Sequence, residues 1–317
     1  MEKILLIGRK DDPHIQGIGN ELSKLNEPYF VLDKFTMSDT FCVEFDGKFR
    51  SYLKINDKKI TNQSIKSIWN TSALRIILEE KIVRDAKEFA RAEWTEGIST
   101  LWNSIDTKWI NHPNSLIKAV NRLKQLDTAS KVGLETPKSI VTNDAKELLD
   151  FYEQNQRNII GKTLHSSEGL PENKMIFTNK IEKHDLERAN SLKYVPVLFQ
   201  EYVPKKTELR VTIIEDKFHV AEIHSQMSPK TKDDWRNYDD FKKTPYVKSR
   251  LPSEIISKLR KLMKVMDLNF GAVDLIKTPE DKIIFLEINP NGRWWWIQEL
   301  TGMNISKDIA TSLSNVE

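Results

Sequence analysis

Runs of apolar residues, and the spacing within them, divide the first third of the chain into predicted elements. Lys3 to Gly8 is a continuous apolar run of the kind that forms a buried strand. Ile15 to Leu25 has helical spacing and Tyr29 to Asp33 predicts a second strand, which together suggest a small open α/β unit. From Phe41 to Ile60 apolar and polar positions alternate around Asp46-Gly47, a hairpin signal, and Ile65 to Asn70 predicts another strand. Helical spacing from Lys81 to Leu101 offers Ile82, Phe89, Trp94, Ile98 and Leu101 for packing.

The first unit is expected to end near His112-Pro113. Asn114 to Lys131 then predicts one helix with Leu116, Ala119, Val120, Leu123 and Leu126 on one side, ended by Gly133 to Pro137. Ser139 to Thr142, Asp144 to Gln154 and Asn158 to Leu164 read as strand, helix, strand, followed by a short helix from Asp185 to Leu192. Val195 to Val203, Glu208 to Ile214 and Lys217 to His224 predict strands, with Glu215-Asp216 as a tight turn between the last two. The polar, basic stretch from Phe241 to Arg250 precedes an amphipathic helix, Ser253 to Met266, with Ser253 as its cap. Gly271 to Ile276 and Ile283 to Ile288 complete a hairpin, and Trp296 to Gly302 a short helix ended by glycine. The expected class is α/β (α+β), with units at 1–113, 114–194 and 195–317.

Composition narrows the possible partners. At 317 residues the chain can bury more than one core, and 49 Lys+Arg against 46 Asp+Glu give +3, too near balance for a nucleic-acid or membrane-surface partner. Cys42 is the single cysteine and no Cys/His pair has zinc spacing, which points to a reducing compartment. The apolar start is too short for a signal peptide and nothing later reaches membrane length, so the expectation is a soluble, cytoplasmic protein. Internal repeats and low-complexity runs are absent.

The final hairpin carries the candidate chemistry. With Glu280 and Asp281 at its turn, Asp274 falls opposite Glu287, and alternation puts Asn289 on the face of Glu287 while Leu286 and Ile288 point to the core. Two carboxylates and an amide gathered in this way call for a hard cation, and Mg²⁺ carrying substrate phosphates suits such oxygen ligands. Lys162, Arg210 and Arg293 each stand at a strand end or face from which a side chain can reach the same cleft, where Lys162 and Arg210 are candidates to bind phosphate oxygens, with a rim salt bridge as the alternative for each.

Taken with Phe199-Gln200-Glu201-Tyr202-Val203, these residues resemble an ATP-grasp ligase from about Asn114 to Ser312. The resemblance implies an ATP-grasp fold with an N-terminal open α/β domain, a central domain and a C-terminal antiparallel-sheet domain. It implies ATP held at the hinge Gln200, Glu201, Tyr202 and Val203, with Glu201 and Val203 toward adenine and Glu208 toward ribose. Arg122, Lys162, Arg210, Asn289 and Arg293 would then face phosphate, and Asp274, Glu287 and Asn289 would hold Mg²⁺, as two ions.

Within that family the likeness is to the branch that makes microviridins and related graspetides. It is carried by Phe199 to Val203, Glu208-Leu209-Arg210-Val211-Thr212, Ala221-Glu222-Ile223-His224-Ser225-Gln226, Asp234-Trp235-Arg236 and Glu287-Ile288-Asn289-Pro290-Asn291-Gly292. Phe89 to Trp94 and Trp109 to Pro113 extend it into the first unit. It implies a ribosomal precursor peptide, leader plus core, as partner and a homodimer as assembly. Arg210 and Arg236 would bind the carboxylate or acyl phosphate, and Asp234, Glu222 or His224 would orient the nucleophile and take its proton. The leader would be clamped by the 185–192 helix, through Asp185, Glu187 and Arg188, and by the Glu208 to Ala221 hairpin.

Three positions depart from the family pattern. The loop from Thr163 to Gly169 has less glycine than the usual phosphate lid, Arg293 stands where an amide side chain is expected, and Arg122 replaces Lys. Two rival readings are a ligase that adds amino acids to a protein or small metabolite, and a non-catalytic regulator that binds nucleotide or leader peptide on the same scaffold.

Overall fold

The computed structural model describes residues 2–55, 57–70, 75–78, 82–164, 176–237 and 244–315. The N-terminal part comprises β1 (Lys3–Ile7), α1 (Pro13–Lys24), β2 (Tyr29–Leu32), β3 (Lys34–Thr36), β4 (Thr40–Phe45), β5 (Phe49–Ile55), β6 (Lys58–Thr61), β7 (Ile65–Asn70), β8 (Arg75–Ile77), α2 (Lys87–Asn103) and β9 (Lys108–Ile110). Its main sheet is parallel, in the order β2-β1-β7-β9. Ile4, Leu6 and Ile15 pack on one face and Leu5, Ile7 and Ile68 on the other, which is why β1 is apolar at successive positions rather than alternating. β4, β5 and β6 form an antiparallel meander whose first turn holds Gly47 at a φ of +91°.

The expected helix over 81–101 starts later, at Lys87, and Lys81 lies outside the described residues. Its Phe89 is 69% exposed, while Ile98 and Leu101 are buried. The single helix expected over 114–131 is two, α3 (Pro113–Ala119) and α4 (Arg122–Lys131). Asn121 breaks it: its side chain accepts a hydrogen bond from the Lys124 amide at 3.0 Å and caps a new helix. Val120 and Leu123 are turned to solvent as a result.

Two antiparallel sheets follow. The first, β10-β13-β11-β12, uses β10 (Ser139–Thr142), β11 (Ile159–Lys162), β12 (Asn179–Lys180) and β13 (Val197–Glu201), backed by α5 (Ala145–Gln154). The expected helix from Asp185 is a 3-10 helix, Asp185–Tyr194. The second sheet, β16-β15-β14-β17-β18, uses β14 (Thr207–Ile214), β15 (Lys217–Ile223), β16 (Tyr246–Lys248), β17 (Phe270–Lys277) and β18 (Ile283–Asn289). β16 was not anticipated within the basic stretch, and 241–243 of that stretch lie outside the described residues, as does the expected lid over 165–169. In α6 (Ser253–Val265) Pro252, not Ser253, occupies the N-cap, and no side chain caps it.

The five-stranded sheet separates two cores. Leu209, Val211, Val273 and Phe285 face α4 and α6, packing on Leu126, Leu259 and Leu262. On the opposite face Ile214, Ala221 and Phe270 pack with α7 (Trp295–Thr301), α8 (Ile305–Ser314) and the N-terminal sheet. Ile4, Ile18 and Trp69 therefore share a core with Ile297, Ile309 and Leu313. α7 ends at Gly302, whose φ of 65° is the left-handed C-terminal stop that the sequence marked. Among the described residues no helix is long and apolar enough to cross a membrane.

Candidate nucleotide and metal site

Strand pairing sets one row of side chains across the five-stranded sheet. Ala221 pairs with Arg210, Arg210 with Asp274 and Asp274 with Glu287, so these side chains share a face. Beyond Asp274 the register shifts by one: Leu275 pairs with Phe285, and Leu286 is the extra residue of a β-bulge. The bulge overturns one expectation, since Leu286 lines the cleft beside Glu287 while Phe285 is fully buried in its place.

Arg210 binds both oxygens of Asp274 through Nη1, at 2.9 and 2.8 Å, and its Nη2 donates to the Arg293 carbonyl at 3.3 Å. Gly292 is required here, because a Cβ on it would overlap Ala272 and stand 2.9 Å from Nη2 of Arg210. Asn289 Nδ2 donates to Asp274 Oδ2 at 3.3 Å and to Glu287 Oε1 at 3.2 Å, while Arg122 reaches Glu287 Oε2 at 3.4 Å. Burial pushes the Asp274 carboxyl up, against the pull of Arg210. Burial acts the same way on Glu287, but Arg122 and Lys162, with the Asn289 amide and Arg236, outweigh it and hold that carboxyl below its ordinary value. The same two carboxylates and amide can turn oxygens toward a divalent cation by rotating the Asn289 amide, so the donor set fits Mg²⁺.

The cleft is open to solvent and is lined by both antiparallel sheets. Ile160 and Lys162 alternate onto it from β11 while Ile159 points into the core below. Burial pushes the Lys162 ammonium down to about 8, partly countered by Glu287. Gln200, Glu201, Tyr202 and Val203 line the hinge end. The amides of Glu201 and Tyr202 are used within the sheet, by the carbonyls of Lys138 and Asn158, both at 2.9 Å. Glu208 Oε1 meets Lys205 Nζ at 2.5 Å, whereas Glu208 Oε2 and Gln200 Oε1 are buried with no hydrogen-bond partner among the described residues. Such orphaned acceptors beside a cavity suit a ligand with hydroxyl and amine donors.

Asp234 and Arg236 form a tight pair at the other rim. Arg236 donates from its backbone amide, Nε and Nη2 to the two oxygens of Asp234, at 3.0, 2.9 and 2.6 Å, and the Thr178 amide adds a fourth bond at 2.9 Å. Burial favours the neutral acid, but these donors hold Asp234 at about 2. A carboxylate so saturated is a poor proton acceptor, and its hydrogen bonds hold the Arg236 side chain in place. Trp235 stacks on Trp296 at 4.9 Å, and the Arg210 guanidinium lies 6.0 Å from the Trp235 ring.

Several expected site residues lie elsewhere. Glu222 pairs with Leu209, which is in the α6-facing core, so its side chain is on the face opposite Arg210. It accepts a hydrogen bond from Ser249 Oγ at 2.9 Å and stands 3.9 Å from His224 Nε2, which removes both residues from the cleft. The Arg293 side chain is 66% exposed and turned to Asp12, at 3.5 Å, rather than to phosphate. Every residue of β14 is buried in mid-sheet, so within the 208–221 hairpin only the turn at Glu215-Asp216 and the start of β15, from Lys217, are exposed. Asp185, Glu187 and Arg188 are exposed on the 3-10 helix, with Asp185 accepting the Glu182 amide at 2.8 Å. Lys205, Asp233 and Thr178 line the cleft unanticipated; the i,i+3 spacing of Lys205 and Glu208 was the one available signal.

A sequence profile of the RimK-like ATP-grasp domain matches residues 119–313, more than half of the chain. The chain belongs to this family of ATP-grasp ligases. Alpha-aminoadipate–LysW ligase LysX of Sulfurisphaera tokodaii is 25% identical over 200 residues, 60% of this chain and 66% of that relative, just under two thirds of its length. The fold matches a Chryseobacterium gregarium RiPP-associated ATP-grasp ligase, solved with ADP and a leader and core peptide, with a TM-score of 0.89 and 28% identity over 99% of this chain and 97% of that one. Macrocyclase MdnC of Microcystis aeruginosa MRC, solved with precursor peptide MdnA, matches at a TM-score of 0.85 and 26% identity over 99% of both chains.

Proposed function

We propose that this chain is an ATP-dependent peptide macrocyclase. It activates Asp or Glu side chains of a ribosomal precursor peptide and joins them to Thr, Ser or Lys of the same peptide. In the first step a carboxylate oxygen attacks the γ-phosphorus and ADP leaves; in the second, a hydroxyl or amine attacks the acyl carbon and phosphate leaves, closing an ω-ester or ω-amide. The observation that carries this reading is the likeness to the Chryseobacterium ligase over 99% of the chain, N-terminal part included, whereas the LysX match spans only 60%.

The cleft chemistry supports it. Adenine contacts fall to the Glu201 carbonyl and the Val203 amide, since the Glu201 and Tyr202 amides are already used. The orphaned Glu208 Oε2 suits a ribose hydroxyl, and Arg122 and Lys162 face the phosphates. Asp274, Glu287 and Asn289 are the residues that would hold Mg²⁺, as two ions in this reading. When bound, the metal offsets charge on the phosphoryl group being transferred. Arg236, fixed by Asp234, presents its cation to the incoming carboxylate at the Trp235 rim. The three-part division at 113 and 194, a cytoplasmic location and a homodimer belong to the same reading; light scattering tests the last.

Mass spectrometry of a candidate precursor incubated with enzyme, ATP and Mg²⁺ is the test. Loss of ~18 Da per ring marks condensation through an activated acyl group. A gain of mass with ADP release points instead to amino-acid addition.

A further inference from the structure

Two buried carboxamides outside the cleft, Asn111 and Gln125, grip the backbone on either side of Asn289. Asn111 directly follows β9. Its Nδ2 donates to the carbonyls of Phe270 and Pro290, both at 2.8 Å, and its Oδ1 accepts from the amides of Asn269 and Phe270 at 2.8 and 2.9 Å. Two donors and two acceptors are the full capacity of an Asn side chain, and all four are in use. The start of β17, which carries Asp274, and the residue just past β18, which carries Glu287 and Asn289, are thereby tied to one group.

Gln125 acts from α4. Its Nε2 donates to the carbonyls of Ala119 and Ile288 at 2.7 and 2.9 Å, and its Oε1 accepts from the Ile288 amide at 3.0 Å. β18 is an edge strand of its sheet, and alternate residues of an antiparallel edge turn their N–H and C=O outward. At Ile288 that outward pair meets Gln125, which stands in for one residue of a further strand. The same helix begins with Arg122, the partner of Glu287.

An apolar side chain of similar size would fill either volume, yet it would leave the backbone groups at 269, 270, 288 and 290 unpaired. The hydrogen bonds converge on the strand that bears the candidate ligands. We propose that Asn111 and Gln125 are positioning residues for the divalent-cation site, fixing the backbone at 288 and 290 so that Glu287 and Asn289 are held opposite Asp274. The proposal rests on the reading of those three side chains as metal ligands.

Calorimetric titration of Mg²⁺ into protein saturated with ADP tests it, beside ADP binding in EDTA and thermal melting followed by tryptophan fluorescence. The variants are Asn111→Asp and Gln125→Glu, which keep the acceptor and lose the donors, all measured well below the lowest melting temperature. The expected result is a Mg²⁺ midpoint raised by about 10–100-fold, with ADP affinity in EDTA within about two-fold of wild type. Lower melting temperatures with an unchanged Mg²⁺ midpoint would overturn the proposal, because a merely structural role moves only the melt. Should Asn111→Asp not fold, Gln125→Glu, on a separate element, decides alone by the same criterion. A wild-type protein whose ADP binding ignores Mg²⁺ removes the metal reading itself, a failure distinct from that of the variants.

Discussion

Arg210 lies directly opposite Asp274 in the β14–β17 ladder and holds both oxygens of its carboxylate through one nitrogen. Both side chains are buried, at 6% and 14% exposure, so the pair has little solvent to fall back on. Arg210→Ala leaves the carboxylate without its partner and is expected to destabilise the fold by about 3–5 kcal/mol, whereas Arg210→Lys loses less. Denaturant melts of the two variants check the order; equal stability would mean that water replaces the guanidinium.

Lys162 gives a pH signature. Its ammonium is pushed down to about 8 by burial, so the nucleotide-free cleft loses a positive charge as pH rises through that value. ADP affinity measured without Mg²⁺ is expected to weaken above pH ~8 in the wild type and to stay flat over the same range in Lys162→Arg. The folding linkage runs the other way. Between about 8 and the ordinary lysine value the unfolded chain binds more protons, so this group makes the fold more stable as pH rises.

His14 joins α1 to α7. Its Nδ1 lies 2.6 Å from Asp12, and its Nε2 accepts from the amides of Trp294 and Trp295 at 3.1 and 3.2 Å. That arrangement needs a neutral ring, and burial, only partly countered by Asp12, holds its pKa below the ordinary value. Protonation favours the unfolded chain, so this contribution is present above about pH 6.5 and is lost as pH falls through the depressed folded value. Acid melts of His14→Gln, whose side-chain oxygen keeps an acceptor, are expected to show a flatter slope there.

On the 3-10 helix, Glu187→Lys and Arg188→Glu reverse exposed charges without touching the Glu182–Asp185 turn bond. Leader affinity, read by fluorescence polarisation, is expected to fall several-fold in the double variant, with ADP binding unchanged. Unaltered leader affinity would take the peptide contact away from this helix.

The pairing of Asp274 with Glu287 was legible because strand alternation and hairpin length are local properties. The bulge at Leu286 was not, since nothing in Ile283 to Asn289 marks where an extra residue is absorbed. Glu222 was misassigned although the information was present: a two-residue turn at Glu215-Asp216 pairs Ile214 with Lys217, and that register puts Glu222 opposite Leu209 on the core face. Lys162, named from its place at the end of a buried strand, and Gln200 to Val203, named from resemblance, do line the cleft. Asn111 lay within the Trp109 to Pro113 block of the likeness, but neither its role nor that of Gln125 was legible, because their partners at 269–270 and 288–290 are brought near only by the assembled sheet. The break at Asn121 hid inside a run with good helical spacing, where an Asn caps as readily as it continues.

The packing of α8 on β7 and α1 has a consequence for biosynthesis. Ile305, Ile309 and Leu313 cover the side of the N-terminal sheet formed by Ile4 and Leu6, and the Leu313 carbonyl accepts from Ser67 Oγ at 2.7 Å. That sheet is synthesised well before α8, and α1 alone covers only part of its oily flank until residues 305–314 have left the ribosome. Nascent chains stalled before that point should therefore occupy chaperones, and release to a protease-resistant state should come late and all at once.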